Sequence, residues 1–146
     1  MTTFHKNADR IVRVTMEYSI AGTVGKTAVT GTKTGPQLKR TFPAIEAFAR
    51  TVKVKRTIRY GTKVFNEENV LYADSAFLKI FSFNLLQGNA FTALDNPDNI
   101  VITKSMAKKY FGNADAMGKT LRVADTKDFV VSGVADDVAG KLAGTI

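Results

Sequence analysis

The chain has 146 residues, enough for one domain or two small ones, and its hydrophobic content of 45% is that of an ordinary globular protein. Ten Phe and four Tyr can build a core, and the lack of cysteine excludes a disulfide scaffold and any thiolate metal site. A formal charge of +8 favours acidic partners (nucleic acid, anionic lipid head groups or an acidic protein face) without choosing among them.

No apolar run approaches the roughly 18 residues of a membrane-spanning helix, and MTTFHKNADR lacks the apolar stretch of a signal peptide. The chain as it stands is expected to be soluble. The segment after the initiator Met is already in mid-pattern, as expected of a piece of something larger.

In chain order, RIVRVTMEYSI alternates cleanly. Val12, Val14, Met16, Tyr18 and Ile20 point one way and Arg13, Thr15, Glu17 and Ser19 the other, which predicts a strand with one buried face. AGTVGKTAVTGTKTG is rich in Gly and Thr and reads as a loop. PQLKRTF reads as a short helix with Pro36 in its first turn and Pro43 beyond its end. AIEAFARTV alternates weakly as a strand. VKVKRTIRYGTKVFNEENVLYA predicts two or three strands, with turns at Gly61-Thr62 and Asn66-Glu67-Glu68. Asp74 is placed to cap a short helix, SAFLKIF, whose apolar stripe is Phe77, Ile80 and Phe81. SFNLLQG is extended and ends at Gly88, and NAFTALDNPDN is a polar loop suited to a subdomain boundary. NIVIT then opens a second unit of strand, helix, turn and hairpin running to about residue 138, and AGKLAGTI at the end has no pattern.

FGNADAMGKT ends in the Gly-Lys-Thr of a phosphate-binding loop, but five residues before Gly118 stands Asn113, and Gly112 is one residue too far. The flanks are also inverted. A phosphate loop follows a strand and opens a helix, whereas TKSMAKKYF reads as a helix, with Thr103 as N-cap and Gly112 just past its end, and TLRVADTKDFVVSGV reads as strand. The stretch is a helix stop and a turn.

No catalytic constellation emerges. His5 is the single histidine, so no paired-His zinc site is possible, and it lies near a terminus. Asp136 and Asp137 would face opposite sides of a strand, and Glu67 and Glu68 fall in the predicted turn as solvated charges. No catalytic residue, cofactor-binding residue or metal ligand is assigned. The densest basic cluster is Lys53, Lys55 and Arg56, with Arg59 and Lys63 nearby and Tyr60 and Phe65 as candidate stacking surfaces. It is either a charged sheet edge or a contact surface, and Lys53, Lys55 and Arg59 are the candidate partner contacts.

The long stretch from Val70 to Val138 resembles the periplasmic core domain of MacB-like and FtsX-like ABC transporter permeases of the Bacteroidetes type. The likeness is carried by Asp74, Phe77, Phe81, Phe83 and Gly88. It continues through Pro97, Ala107, Tyr110, Phe111, Gly112 and the Gly118-Lys119-Thr120 turn, and closes on Phe129, Val131, Gly133 and Val134. FHKNADRIVRV is similar to the segment that follows the family's first membrane helix. The resemblance implies an α+β fold: a porter-like β-α-β half over residues 1–95 and a smaller strand-helix-hairpin insertion over 96–146, cut short before the chain returns to the porter-like half. It implies a non-catalytic module without cofactors. This module faces the periplasm at the inner membrane and relays ATP-driven motion to a substrate or partner. Its partners would be the rest of the permease with its membrane helices, a cytoplasmic ATP-binding subunit not in direct contact, and a periplasmic or outer-membrane protein. A basic nucleic-acid-binding domain is the competing reading of the residues alone, and under the resemblance no nucleic acid is expected.

Overall fold

The structure, a computed structural model, describes residues 6–137. His5 and the patternless tail lie outside them. A 3-10 turn at Ala8–Arg10 is followed by a hairpin of β1 (Met16–Ile20) and β2 (Thr23–Thr27), then helix α1 (Thr34–Thr41) and the long strands β3 (Thr51–Tyr60) and β4 (Lys63–Ala73). A single helical turn, α2 (Phe77–Ile80), leads to β5 (Leu85–Gln87), β6 (Asn99–Thr103), α3 (Lys104–Phe111), β7 (Thr120–Val123) and β8 (Lys127–Ala135). The architecture is the expected mixed α/β type, and β6, α3 and the β7–β8 hairpin are the expected strand-helix-hairpin run.

β1 and β2 form a sheet of their own, and the other six strands share one sheet. Its order is β4-β3-β7-β8-β5, with β6 also paired to β8. The β6–β8 pair is parallel and all the others are antiparallel. A parallel pair requires a crossover, which α3 and β7 supply. Strands from both sides of residue 95 therefore lie in one hydrogen-bonded sheet.

β8 is nine residues long with burial concentrated in Phe129, Val131 and Gly133 to Ala135. Its side chains anchor the main core, in which Val131 and Phe129 pack with Ile58 of β3, Leu121 and Val123 of β7, Ile102 of β6, and Tyr110 and Phe111 of α3. Each large apolar side chain buried in this way contributes about 1.5–3 kcal/mol. A second cluster of Phe77, Leu78, Phe83 and Ala93 closes the β5 end. The sheet is drawn tight there: Gly88 has φ +90°, and a Cβ on it would lie 2.4 Å from the Ser132 carbonyl oxygen. That approach and that backbone conformation both require glycine.

α3 is capped as its sequence demands. The Thr103 side chain accepts a hydrogen bond from the Met106 amide at 3.2 Å, and Gly112 ends the helix with φ 62°. Asp137 adds a second cap by accepting from the Ser105 amide at 2.9 Å, so β8's end is tied to the start of α3. Hydrogen bonds from Ser105, side chain first and then backbone, hold the Asp137 carboxyl below its ordinary range.

Several expectations are corrected. The stretch expected to bury one face from residue 10 to 20 is a strand only from Met16, and all five residues of β1 are exposed. The local alternation is real, but none of these residues belongs to either apolar cluster. The expected loop after it contains β2, which pairs β1 around a tight turn with Ala21 at φ 51° and Gly22 at φ 83°. Residues 44–50 take no regular structure. The turn expected at Asn66-Glu67-Glu68 is absent: β4 runs through it, and its polar residues sit where the β3–β4 register shifts between Val54 and Arg56. Asp74 does not cap α2 with its side chain; it binds Arg50 instead.

Glu67 is likewise not a solvated turn charge. Its Oε1 accepts from the Tyr110 hydroxyl at 2.8 Å and from Lys109 Nζ at 2.7 Å, which ties β4 to α3. Tyr110 is fully buried. Burial first, and the neighbouring Glu67 carboxylate second, push its phenol far above the ordinary range.

Glu67→Ala leaves the Tyr110 hydroxyl buried without an acceptor and should lower unfolding free energy in urea by about 1–3 kcal/mol, while Glu67→Gln retains a carbonyl acceptor and should lose less. Gly88→Ala combines a backbone clash with a strained φ and should cost about 2–5 kcal/mol in the same measurement.

Candidate contact surface

The Gly-Lys-Thr stretch is a turn whose amides are already used. The Gly112 amide donates to the Lys108 carbonyl at 2.9 Å, Ala114 to Phe111 at 3.1 Å, Gly118 to Val131 at 2.9 Å and Lys119 to Ala116 at 3.1 Å. The Met117 amide donates to Asp115 Oδ1 at 3.0 Å. A phosphate cradle needs such donors free and convergent, and here they hold a helix end onto β8.

The candidate contacts Lys53, Lys55 and Arg59 all stand on β3, but they do not make one cluster. At about 3.3 Å per residue, Arg59 lies roughly 20 Å along the strand from Lys53. Lys55 occupies the register shift and pairs with Glu68 at 2.5 Å. Arg59 Nε donates to Asp125 Oδ1 at 3.1 Å, beside Arg122, which pairs with Asp128 at 3.0 Å. Lys53 is exposed and forms no ion pair among the described residues. Lys63 donates to the carbonyls of Lys109 and Tyr110 at 3.3 and 3.1 Å, answering the unpaired carbonyls at the end of α3.

The rings expected to offer stacking surfaces are turned to the core. Tyr60 meets Phe111 edge-on at 4.6 Å, and Phe65 meets Tyr110 at 5.4 Å. The aromatic–cation pairs that do reach the surface lie elsewhere. Arg56 sits over Tyr72 at 5.7 Å, and Lys127 over Phe129 at 5.0 Å. Both border a shallow recess of about 450 Å³ that Pro97 and Val123 also line. Lys127 is balanced by Asp98 at 2.8 Å. The recess is lined by Arg56, Tyr72, Thr126 and Lys127 alongside its apolar residues, and among the described residues it has no carboxylate or histidine in its wall. Among the described residues no three His, Cys, Asp or Glu side chains converge as metal ligands, and no helix is long and apolar enough to cross a membrane.

Two features escape the sequence reading. The first is the exposed apolar residues of the β1–β2 hairpin, Met16 46%, Tyr18 43%, Ile20 68% and Val24 61%, and of the segment leading into it, Val12 84% and Val14 42%. Met16 and Ile20 stand opposite threonines in the register, and Tyr18 lies over Gly25, where a Cβ would come within 2.6 Å of the ring. The second is the Arg50–Asp74 clamp. Arg50 donates through Nε and its backbone amide to Asp74 Oδ2, and through a terminal nitrogen to Oδ1, each at 2.8 Å. Its other terminal nitrogen donates to the Thr32 carbonyl at 3.0 Å. Asp74 returns its own amide to the Arg50 carbonyl at 3.1 Å. The pair is thus the last rung of the β3–β4 ladder, and it also fastens the start of the α1 segment to the sheet.

The model of the MacB-like periplasmic core domain matches residues 1–145. The chain belongs to this family. The core domain also resembles solved structures. A crystal structure of a domain of a candidate permease from Porphyromonas gingivalis superposes with a TM-score of 0.65 at 23% identity, covering 78% of this chain and 49% of that one. The periplasmic region of MacB from Actinobacillus actinomycetemcomitans superposes with a TM-score of 0.54 at 22% identity, covering 64% and 44%. At these identities the likeness speaks of fold alone, and the core domain spans about half the length of the structures it matches. No curated protein matches it in sequence.

The clamp makes the acid side of the stability profile specific. The Arg50 hydrogen bond, acting first, lowers the Asp74 pKa against the opposing effect of burial. A carboxyl depressed in the folded state contributes stability above its unfolded value, near pH 4, and loses it as pH falls through the folded value. The unfolding midpoint should therefore fall as the pH is lowered below about 4, and Asp74→Asn should start lower and lose less over that window.

Proposed function

We propose that this chain is the extracytoplasmic part of an ABC transporter permease, facing the periplasm at the inner membrane, and that it relays motion driven by cytoplasmic ATP hydrolysis to a substrate or partner protein. The observation that carries this reading is the family match over residues 1–145. The geometry supports it. A mechanical relay needs a stiff body with different contacts in two states, and needs no reactive centre. A six-stranded sheet with two apolar clusters against it meets that need.

The partners follow from the same reading: the rest of the permease with its membrane helices, an ATP-binding subunit on the cytoplasmic side that does not touch this domain, and a periplasmic or outer-membrane protein. The exposed face of β1–β2 finds its place here. A hairpin with Met16, Ile20 and Val24 in water is poorly stable alone, and further strands of the same extracytoplasmic region would cover it. Lys53, Lys55 and Arg59 remain proposed partner contacts, with Lys53 the most available. The nucleic-acid reading loses support because Lys55 and Arg59 are ion-paired and the rings beside them face inward.

The test uses the complete permease with its ATP-binding subunit in a lipid bilayer. Spin labels at Lys79→Cys and Lys108→Cys should keep one separation, within about 2 Å, between the nucleotide-free and ATP-bound states, as expected of a body too tightly packed to deform continuously. A label at Lys108→Cys paired with one on a membrane helix should change its separation by several ångströms. No change in the second distance contradicts the relay.

A further inference from the structure

The positive charge of this protein is not spread evenly. Between Tyr18 and Asn66 stand ten lysines and arginines and a single acid, Glu46, so this third of the chain carries +9 and everything else together carries −1. The structure separates that stretch into two parts. On β3, Lys55 and Arg59 are ion-paired and Arg56 lies on an aromatic ring. At the other end, around α1, the charges have no counter-ions among the described residues. Lys33 and Lys39 form no ion pair, and Arg40 donates only to the neutral Gln37 side chain.

α1 is also unusual in what it does not bury. None of its eight residues is buried, and it belongs to neither apolar cluster. Its inward side is Thr34, Gly35 and Leu38, with Gly35 so close to the Phe48 ring that a Cβ would sit 2.6 Å from it. Its outward side carries Lys33, Pro36, Gln37 and Arg40 at helical spacing, with Lys39 beside them. The chain on either side leaves two large apolar residues in solvent, Val29 at 75% and Phe42 at 52% exposure. Cations flanked by an exposed aromatic, on a helix that contributes little to its own domain, suit an interface that is anionic at the surface and apolar just beneath.

The position agrees. The Arg10 side chain pairs with Glu46, just beyond α1 and Phe42. Asn7 reaches the Ile80 carbonyl at 3.3 Å. The N-terminal segment and the α1 segment therefore share one end of the molecule, away from the β3–β4 turn that meets the end of α3.

We infer that the segment from Val29 to Phe42, through Lys33, Lys39, Arg40 and the Phe42 ring, docks this domain against an anionic phospholipid surface. The inference rests on the permease reading only for the direction in which the membrane lies. Vesicle binding by the 146-residue chain needs no transporter, so its failure would leave that reading standing, whereas failure of the spin-label test would leave vesicle binding untouched.

Co-sedimentation with vesicles of phosphatidylcholine containing about 30% phosphatidylglycerol, at about 100 mM salt, should show binding that pure phosphatidylcholine vesicles do not. The triple variant Lys33→Glu, Lys39→Glu, Arg40→Glu should bind about tenfold or more weakly. A control with the same change in net charge, Lys104→Glu, Lys108→Glu, Lys119→Glu, should bind within about threefold of the parent. Phe42→Ser should weaken vesicle binding several-fold and leave any weak binding to duplex DNA unchanged. Since none of the six substituted side chains is buried, circular dichroism should show both triple variants folded. The inference is overturned by absence of binding to the anionic vesicles, by equal loss in both triple variants, or by duplex DNA binding as tightly as vesicles with no effect of Phe42→Ser.

Discussion

β8 must satisfy three partners at once, and most of this structure follows from how it does so. Its first half pairs with β7, its second half with β5, and its other edge accepts β6 in parallel. A strand in that position cannot tolerate bulk where neighbours approach closely. Gly133 meets the Leu85 side chain of β5 and the Val101 side chain of β6, where a Cβ would lie 2.8 and 3.3 Å away. The same strand supplies Phe129, Val131 and Val134 to the core beneath α3. Through β7 the ladder continues to β3 and β4, so that residues from 51 to 135 form a single hydrogen-bonded sheet.

The β1–β2 hairpin and α1 belong neither to that sheet nor to its two apolar clusters. The β1–β2 hairpin contacts solvent on both faces, and α1 is held chiefly by the Arg50 clamp and by the Phe48 ring. The sheet carries the two apolar clusters, and the peripheral elements carry the exposed apolar and cationic side chains. Clamp and core act on different scales: Arg50 and Asp74 are both partly exposed, so water and salt weaken their attraction, whereas the apolar clusters are insensitive to salt.

The second half of the fold was legible from its residues because local signals and tertiary packing agree there. NIVIT is a strand, Thr103 caps α3, Gly112 ends it, and the hairpin turn falls at Ala124-Asp125, both with positive φ. The first half was less legible because its alternation lacks a partner. Val12 to Ile20 carry a buried-face pattern, but burial depends on a neighbour that the segment itself cannot specify. Glu67 and Asp74 misled for a related reason. A polar run reads as a turn and an Asp before a helix reads as a cap, and only the fold brings Tyr110 to the first and Arg50 to the second. For the surface, Lys53, Lys55 and Arg59 were visible as a dense cluster. The ion pairs that neutralise two of them join β3 to Glu68 on β4 and to Asp125 in a distant turn, at separations that sequence spacing does not reveal.

The central claim is that the strands on both sides of residue 95 make one cooperative body. Native-state hydrogen exchange tests it directly. Amides of β3, β7 and β8 should share one slowest opening free energy and one dependence on urea, with β1 and β2 exchanging far faster. Separate opening free energies for β3–β4 and for β6–β8, with separate urea dependences, would show two independent units and contradict the account.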